Sequence, residues 1–242
     1  MIFDLILTSL SLAAGLLAAI TGFGIGSLLT PLLSLKVETK LAIAAISIPH
    51  FVATLLRFWI LRRYVDRQVL LSFGIMSATG GLIGALLHML INNQWLTKIF
   101  AILLIFTGIT GITNILQTIK IGKKAAYVAG AISGIFGGLA GNQGGIRAAG
   151  LLSFNLSKES FVATTTATGV IVDLVRMPIY FVTFYSQIFT LKAYTGEMLI
   201  GVIAGTILGM NFLEKISEKR FHRIVAFLIL SLGIFILIQS SK

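Results

Sequence analysis

The chain reads as an all-α, polytopic helical membrane protein built from two homologous repeats. Three observations predict this: extreme apolarity, division into long apolar stretches, and residue identities that recur at a fixed offset. Of its 242 residues, 57% are apolar and 11% charged, against about 45–50% and about 25% in soluble domains. A water-facing surface cannot be assembled from that composition, so the bilayer is the solvent. Apolar stretches of about 18–25 residues suffice to cross a hydrocarbon core of about 30 Å at about 1.5 Å per residue.

Composition also excludes several functions. The net charge of +11 could suggest nucleic acid, but the Lys and Arg residues sit mainly in short connections between apolar stretches, as the positive-inside rule expects. No nucleic-acid partner is expected. With no cysteine, disulfides, thiolate metal sites and cysteine nucleophiles are ruled out. His50, His88 and His222 are too scattered to form a motif, and no set of metal ligands or pairing of nucleophile with base stands out. The chain reads as neither an enzyme nor a metal or cofactor protein. Asp4 replaces the basic n-region of a signal peptide, so residues 2–20 are read as retained structure.

Apolar segments run at 2–35, 38–61, 68–91, 95–118, 122–154, 159–185, 192–213 and 220–240. The segments 2–35 and 122–154 are too long for one ordinary crossing. Each holds a glycine-rich interruption near its middle, Thr21-Gly22-Phe23-Gly24-Ile25-Gly26 and Gly137-Gly138-Leu139-Ala140-Gly141-Asn142-Gln143-Gly144-Gly145. The helix is expected to break there.

An offset of 119 residues pairs Gly15 with Gly134, Gly22 with Gly141, Gly26 with Gly145, Leu32-Leu33-Ser34 with Leu151-Leu152-Ser153, and Arg57 with Arg176. This is a duplication, with repeats at 1–119 and 120–242, each a glycine-broken first segment followed by three further helices. With small length changes, Gly80 and Gly84 answer Gly201 and Gly205, spacings suited to close helix packing. The repeats are expected to be inverted. If all eight segments cross, the Lys and Arg of the connections divide evenly. If the broken segments are re-entrant hairpins, 11 gather around 62–67, 119–124, 155–159 and 214–223, leaving 5 on the other face. That asymmetry fits the positive-inside rule and puts the 62–67 connection in the cytoplasm with both termini outside.

Broken helices at membrane depth survive where they are buried in protein or line an aqueous cavity. In inverted-repeat transporters such breaks form the binding site. Half-helices beginning near Gly26 and Gly145 would aim free N–H groups and positive dipole ends inward, where an anion binds. Gly22, Gly24, Gly26, Gly141, Gly144 and Gly145 would let a ligand approach the backbone, and Thr21, Asn142 and Gln143 would add hydrogen bonds without burying charge. The alternative is that these glycines only let hairpins pack. Arg147, two residues past Gly145, would contact the anion, or else snorkel or form a structural pair.

Asp173 and Arg176 share one helical face. They form either a self-neutralising pair or a relay in which Asp173 takes a proton or releases Arg176 during transport. Thr54 holds the site equivalent to Asp173. Arg57 is close enough to Arg62 for its head to snorkel to the interface, and His50, beside Pro49, is a packing residue or a proton-linked one. Of the threonines at 164–168, Thr165 is the candidate ligand; the others more often bond back to their own helix.

A glycine-rich stretch leading to Pro31, the run Ala44-Ala45-Ile46-Ser47, and a second glycine-rich stretch followed by Ala163-Thr164-Thr165-Thr166 together resemble the sulfite exporter TauE/SafE family over nearly the whole chain. The chain departs from the pattern at Phe23 and Ile25, and at Arg147-Ala148-Ala149-Gly150, where a Pro is lacking. The resemblance implies a secondary transporter of the cell membrane that moves a small anion such as sulfite, sulfoacetate or another organosulfur compound. The expected partners are that anion and the lipid bilayer, with a homo-oligomer left open. A passive anion channel and a non-transporting membrane scaffold are the rival readings.

Overall fold

A computed structural model describes residues 2–113, 115, 122–142, 144–152, 154–212 and 218–240. Among them are ten helices. The first half of the chain supplies α1 (Ile2–Thr21), α2 (Ile25–Leu33), α3 (Thr39–Leu61), α4 (Arg67–Leu90) and α5 (Asn93–Thr113). The second supplies α6 (Lys123–Ala140), α7 (Gly144–Leu152), α8 (Lys158–Thr190), α9 (Lys192–Phe212) and α10 (Glu218–Ser240). Among the described residues, six helices are long and apolar enough to cross a membrane. The chain is a multi-pass helical membrane protein.

Two boundaries differ from the hydropathy pattern. Helix α8 runs on to Thr190 rather than ending near 185, because no Gly or Pro interrupts Tyr185–Thr190. Helix α4 carries a π-helical turn at Leu70–Gly74, which apolar periodicity does not register.

Both long segments are broken, and both double back. Lys36, just past α2, lies over the ring of Phe3 at the start of α1, with Nζ 5.1 Å from its centroid. Phe154, just past α7, meets Tyr127 near the start of α6 at 5.8 Å between ring centroids. Each pair is thus a helical hairpin with a long first arm and a short return arm of 9 residues.

The two halves interlock crosswise. Gly15 abuts the backbone of Val202 and Thr206, Gly205 that of Leu12 and Leu16, and Gly209 that of Leu16 with the Ala19 methyl, so α1 and α9 run parallel. In the same way Gly80 meets Ala131 and Ile135, and Gly84 meets Ile135 and Leu139, making α4 and α6 parallel. In lipid there is little hydrophobic drive between helices, so this backbone contact through small residues supplies the association by dispersion and packing. The other two pairings run antiparallel. In α3 and α8, His50 meets Asp173 and Thr54 faces Gly169. In α5 and α10, Gly108 abuts Leu230 and Gly111 abuts Ala226.

Each end of the molecule collects several connections. Leu61, Val65, Val69, Phe73, Phe154, Phe161 and Met210 cluster at one end. At the other, Phe3 packs on Tyr194, Lys40 bonds Asn93, and Thr39 bonds Thr97. Large apolar side chains such as Leu71, Ile83, Leu90 and Val182 are exposed outward, as a lipid-facing surface requires.

Candidate functional site

The two hairpin tips meet. In the first, the Thr21 hydroxyl donates to the Phe23 carbonyl and accepts from the Phe23 N–H, closing a tight turn before Gly24 starts α2. Gly24 has φ +120°, a conformation a side chain would strain. No side chain caps α2, so its first N–H groups remain open at the tip. In the second, Gly141 ends α6 in the left-handed conformation, its N–H bonding back to the Gly137 carbonyl. Gly26 lies so close to the Gly141 carbonyl that a methyl group there would collide with it. The Ser27 hydroxyl and the Asn142 side-chain oxygen are 3.1 Å apart across the repeats.

Between the tips is a narrow cavity lined by Gly22, Phe23, Gly24, Gly26, Ser27, His50, Thr54, Gly141, Asn142, Gly144 and Arg147. Its volume of about 10 Å³ has room for roughly one water. Phe23 fills much of the space, its ring lying against Gly144 where a side chain would otherwise stand.

Behind the cavity the α3–α8 crossing holds a buried charge cluster. Asp173, fully buried, is 2.7 Å from His50 Nδ1 and accepts from Arg176 Nε at 2.8 Å. Arg176 also donates to the Gly137 carbonyl at 2.7 Å, and the Tyr180 hydroxyl donates to the Gly138 carbonyl. These two side chains bind carbonyls at the C-terminal, slightly negative end of α6, Arg176 sharing the Gly137 carbonyl with the Gly141 N–H.

Arg57 and Arg147 are held differently. Arg57 is 1% exposed and donates once, from Nη2 to Thr54 Oγ1 at 3.1 Å; its Nε and Nη1 have no partner. Arg147 is 2% exposed and donates from Nη1 to the Thr165 carbonyl at 3.2 Å, leaving Nε and Nη2 unpartnered. Asn142 Nδ2 is buried and unpartnered as well. Orphaned donors of this kind are costly in a dry interior, most of all on a cation. Among the described residues, no group of three or more His, Cys, Asp or Glu residues is placed to hold a metal ion.

Of the residues picked from sequence, Gly22, Gly24, Gly26, His50, Gly141, Asn142, Gly144 and Arg147 line one cavity. Gly145 lies in the first turn of α7, and Gln143 lies outside the described residues. Thr165 packs its methyl group toward Gly22 and leaves its hydroxyl buried without a partner. The Thr21 hydroxyl is engaged within its own turn rather than aimed at a ligand. Arg57 does not snorkel, as its distance along the chain from Arg62 suggests, but turns inward to Thr54, a direction set by the α3–α8 crossing. Sequence reasoning did not place Phe23, Ser27 or Thr54 in the cavity, nor Tyr180 behind it. Phe23 and Ser27 had a usable signal in their positions beside the first break.

No curated protein and no solved structure matches the chain. Residues 7–236 match the profile of a family described as Sulfite exporter TauE/SafE. With nearly the whole sequence covered, including both breaks and the charge cluster between them, the chain belongs to the sulfite exporter TauE/SafE family.

Proposed function

We propose that the protein is a secondary transporter that moves a small sulfur-containing or organic anion across the cell membrane by alternating access, binding it where the two hairpin tips meet. The observation that carries this reading is the pair of buried guanidinium groups with unpartnered N–H groups at the cavity, Arg147 in its lining and Arg57 bonded to the lining residue Thr54. Buried cations at membrane depth mark ion and substrate pathways. The family supplies the substrate class: its members are transporters of sulfite and related sulfur anions. The residue set is Gly22, Gly24, Gly26, Gly141, Asn142, Gln143, Gly144, Gly145, Arg147 and Thr165 around the anion. His50, Asp173 and Arg176 serve coupling or gating, and Arg57 joins that role to the anion site through its hydrogen bond to Thr54.

The inverted arrangement of the repeats is part of the proposal. It is supported by the antiparallel course of the counterpart helices α3 and α8, and of α5 and α10, since parallel repeats would make each such pair parallel. The positive-inside rule then favours a cytoplasmic 62–67 connection. The small cavity favours an occluded carrier over an open pore. An anion larger than water is admitted only after Phe23 and the tips shift, a movement suited to rocking of one repeat against the other.

Reconstituted proteoliposomes test this. Uptake of sulfite or sulfoacetate is expected to saturate with concentration, and Arg147→Ala to lower it about tenfold or more, the scale of losing a buried charge-assisted contact. Flux that rises linearly without saturation would instead identify a passive channel.

A further inference from the structure

The two repeats place an arginine and a partner three residues earlier at equivalent positions, but the partners differ. In the second repeat, Asp173 and Arg176 form a direct ion pair, with Arg176 Nη2 2.7 Å from the carboxylate. In the first, Thr54 and Arg57 stand at the same positions, and the hydroxyl accepts one hydrogen bond while contributing no charge. The pseudo-symmetry extends across the crossing. His50 meets Asp173, and the mate of that contact brings Gly169 against Thr54, where a side chain on Gly169 would lie 3.2 Å from the Thr54 methyl and 3.1 Å from Arg147 Nη1. The missing side chain at Gly169 therefore leaves the space that the Arg147 head occupies beside Thr54.

Charge can be counted at this crossing. Arg57, Arg147 and Arg176 are each no more than 2% exposed. Asp173 is the one carboxylate among the described residues that meets the cluster. The remaining carboxylates at described positions, Asp4, Glu38, Asp66, Glu159, Glu197 and Glu218, lie in connections or toward helix ends. With His50 counted as neutral, two positive charges are left without a counter-charge. They belong to Arg57 and Arg147, the arginines with unpartnered N–H groups. Buried charge is tolerated when it is paired and its hydrogen bonds are made. A monovalent anion would leave one charge uncompensated, and a single anion with two negative charges neutralises both. Its oxygens would also accept from the free Arg147 donors and from Asn142 Nδ2, which line the cavity, with Arg57 next to it through Thr54.

We propose that the site between the hairpin tips is built for one doubly charged oxyanion, and that Thr54, standing where the second repeat has a carboxylate, sets this charge preference. This rests on the anion-binding reading above and adds the valence of the ligand.

The test uses the full-length protein in detergent or nanodiscs at one fixed pH, with calorimetric titration and thermal shift. The divalent probes are sulfate and sulfoacetate; the monovalent ones are methanesulfonate and nitrate. One divalent anion is expected to bind per chain, about tenfold or more tighter than either monovalent anion. Thr54→Asp, which supplies the first repeat with the missing carboxylate, is expected to weaken divalent binding by a similar factor while monovalent binding persists. Thr54→Asn, equal in charge to the native residue, is expected to keep the divalent preference. Monovalent anions binding as tightly as divalent ones, two monovalent anions binding per chain, or an unchanged preference in Thr54→Asp would overturn the assignment while leaving anion transport intact. Failure of every anion to bind would overturn both. The comparison in the native protein decides the valence even if Thr54→Asp does not fold.

Discussion

The two halves of the chain share a scaffold and divide its labour. In each, a long helix turns at glycine into a 9-residue return arm, and an arginine projects from the following helix. In the second repeat, Arg176 has a carboxylate and a helix-end carbonyl as partners, and Tyr180 secures the next carbonyl. In the first, Arg57 has one threonine hydroxyl, and Leu61 occupies the position equivalent to Tyr180. Equivalent positions in the two halves thus hold one arginine bound into the architecture and one left with free donors. What differs is the set of acceptors each arginine meets, so position alone does not define the role of a buried charge.

The strongest way to break this comparison is to remove the two arginines separately. Arg176→Met strips Asp173 of its ion pair and uncaps the end of α6, so it is expected to destabilise the protein by about 3–5 kcal/mol, the cost of leaving a buried charge unpaired. Arg57→Met removes a buried cation that makes one neutral hydrogen bond. It is expected to lose no more than about 1 kcal/mol, with relief of desolvation acting in the stabilising direction, while anion binding is lost. Thermal unfolding in detergent, read beside an anion-binding titration, checks both. Equal destabilisation by the two substitutions would mean that Arg57 is as structural as its counterpart.

A smaller effect is expected where the tips touch. Gly26→Ala places a methyl group into the Gly141 carbonyl, and neither partner is a flexible side chain that can swing aside. The tips must separate, at about 1–3 kcal/mol for overpacking. Because the ligand donors would move with them, transport is expected to fall about a hundredfold, as when reacting or binding groups are displaced by an ångström. Initial-rate uptake in proteoliposomes, normalised to folded protein, measures this. Uptake near the native rate would show that the site does not depend on the contact between the tips.

Much of this was legible in the sequence because the physics involved is local. Hydropathy marks the helices, and Gly22 and Gly141 mark the breaks. The contacts that assemble the site are not local. Ser27 and Asn142 are 115 residues apart and His50 and Asp173 are 123 apart; nothing in the spacing of either pair announces contact. Arg57 shows why. Along the chain it is close to the interfacial Arg62, and only the antiparallel crossing of α3 and α8 turns its head inward. The repeat held a clue, since the counterpart of Arg57 is the arginine three residues past an intramembrane carboxylate. A shared offset, used as a constraint on side-chain direction, would have carried Arg57 and Thr54 into the cluster.

The crosswise pairing of repeats gives the smallest of the expected effects, and it lies within one helix. On α9, Gly205 faces α1 so closely that a methyl group would strike the Leu12 backbone, whereas Gly196 has nothing within 4 Å. Gly205→Ala must push α1 and α9 apart and is expected to cost about 1–3 kcal/mol. Gly196→Ala gains helix propensity without a clash and is expected to stabilise by about 0.5–1 kcal/mol. The sign difference, read by thermal unfolding of the two variants in one detergent, tests the interlocked arrangement itself. If α1 packed within its own repeat instead of against α9, Gly205 would have no backbone facing it, and the two alanines would behave alike.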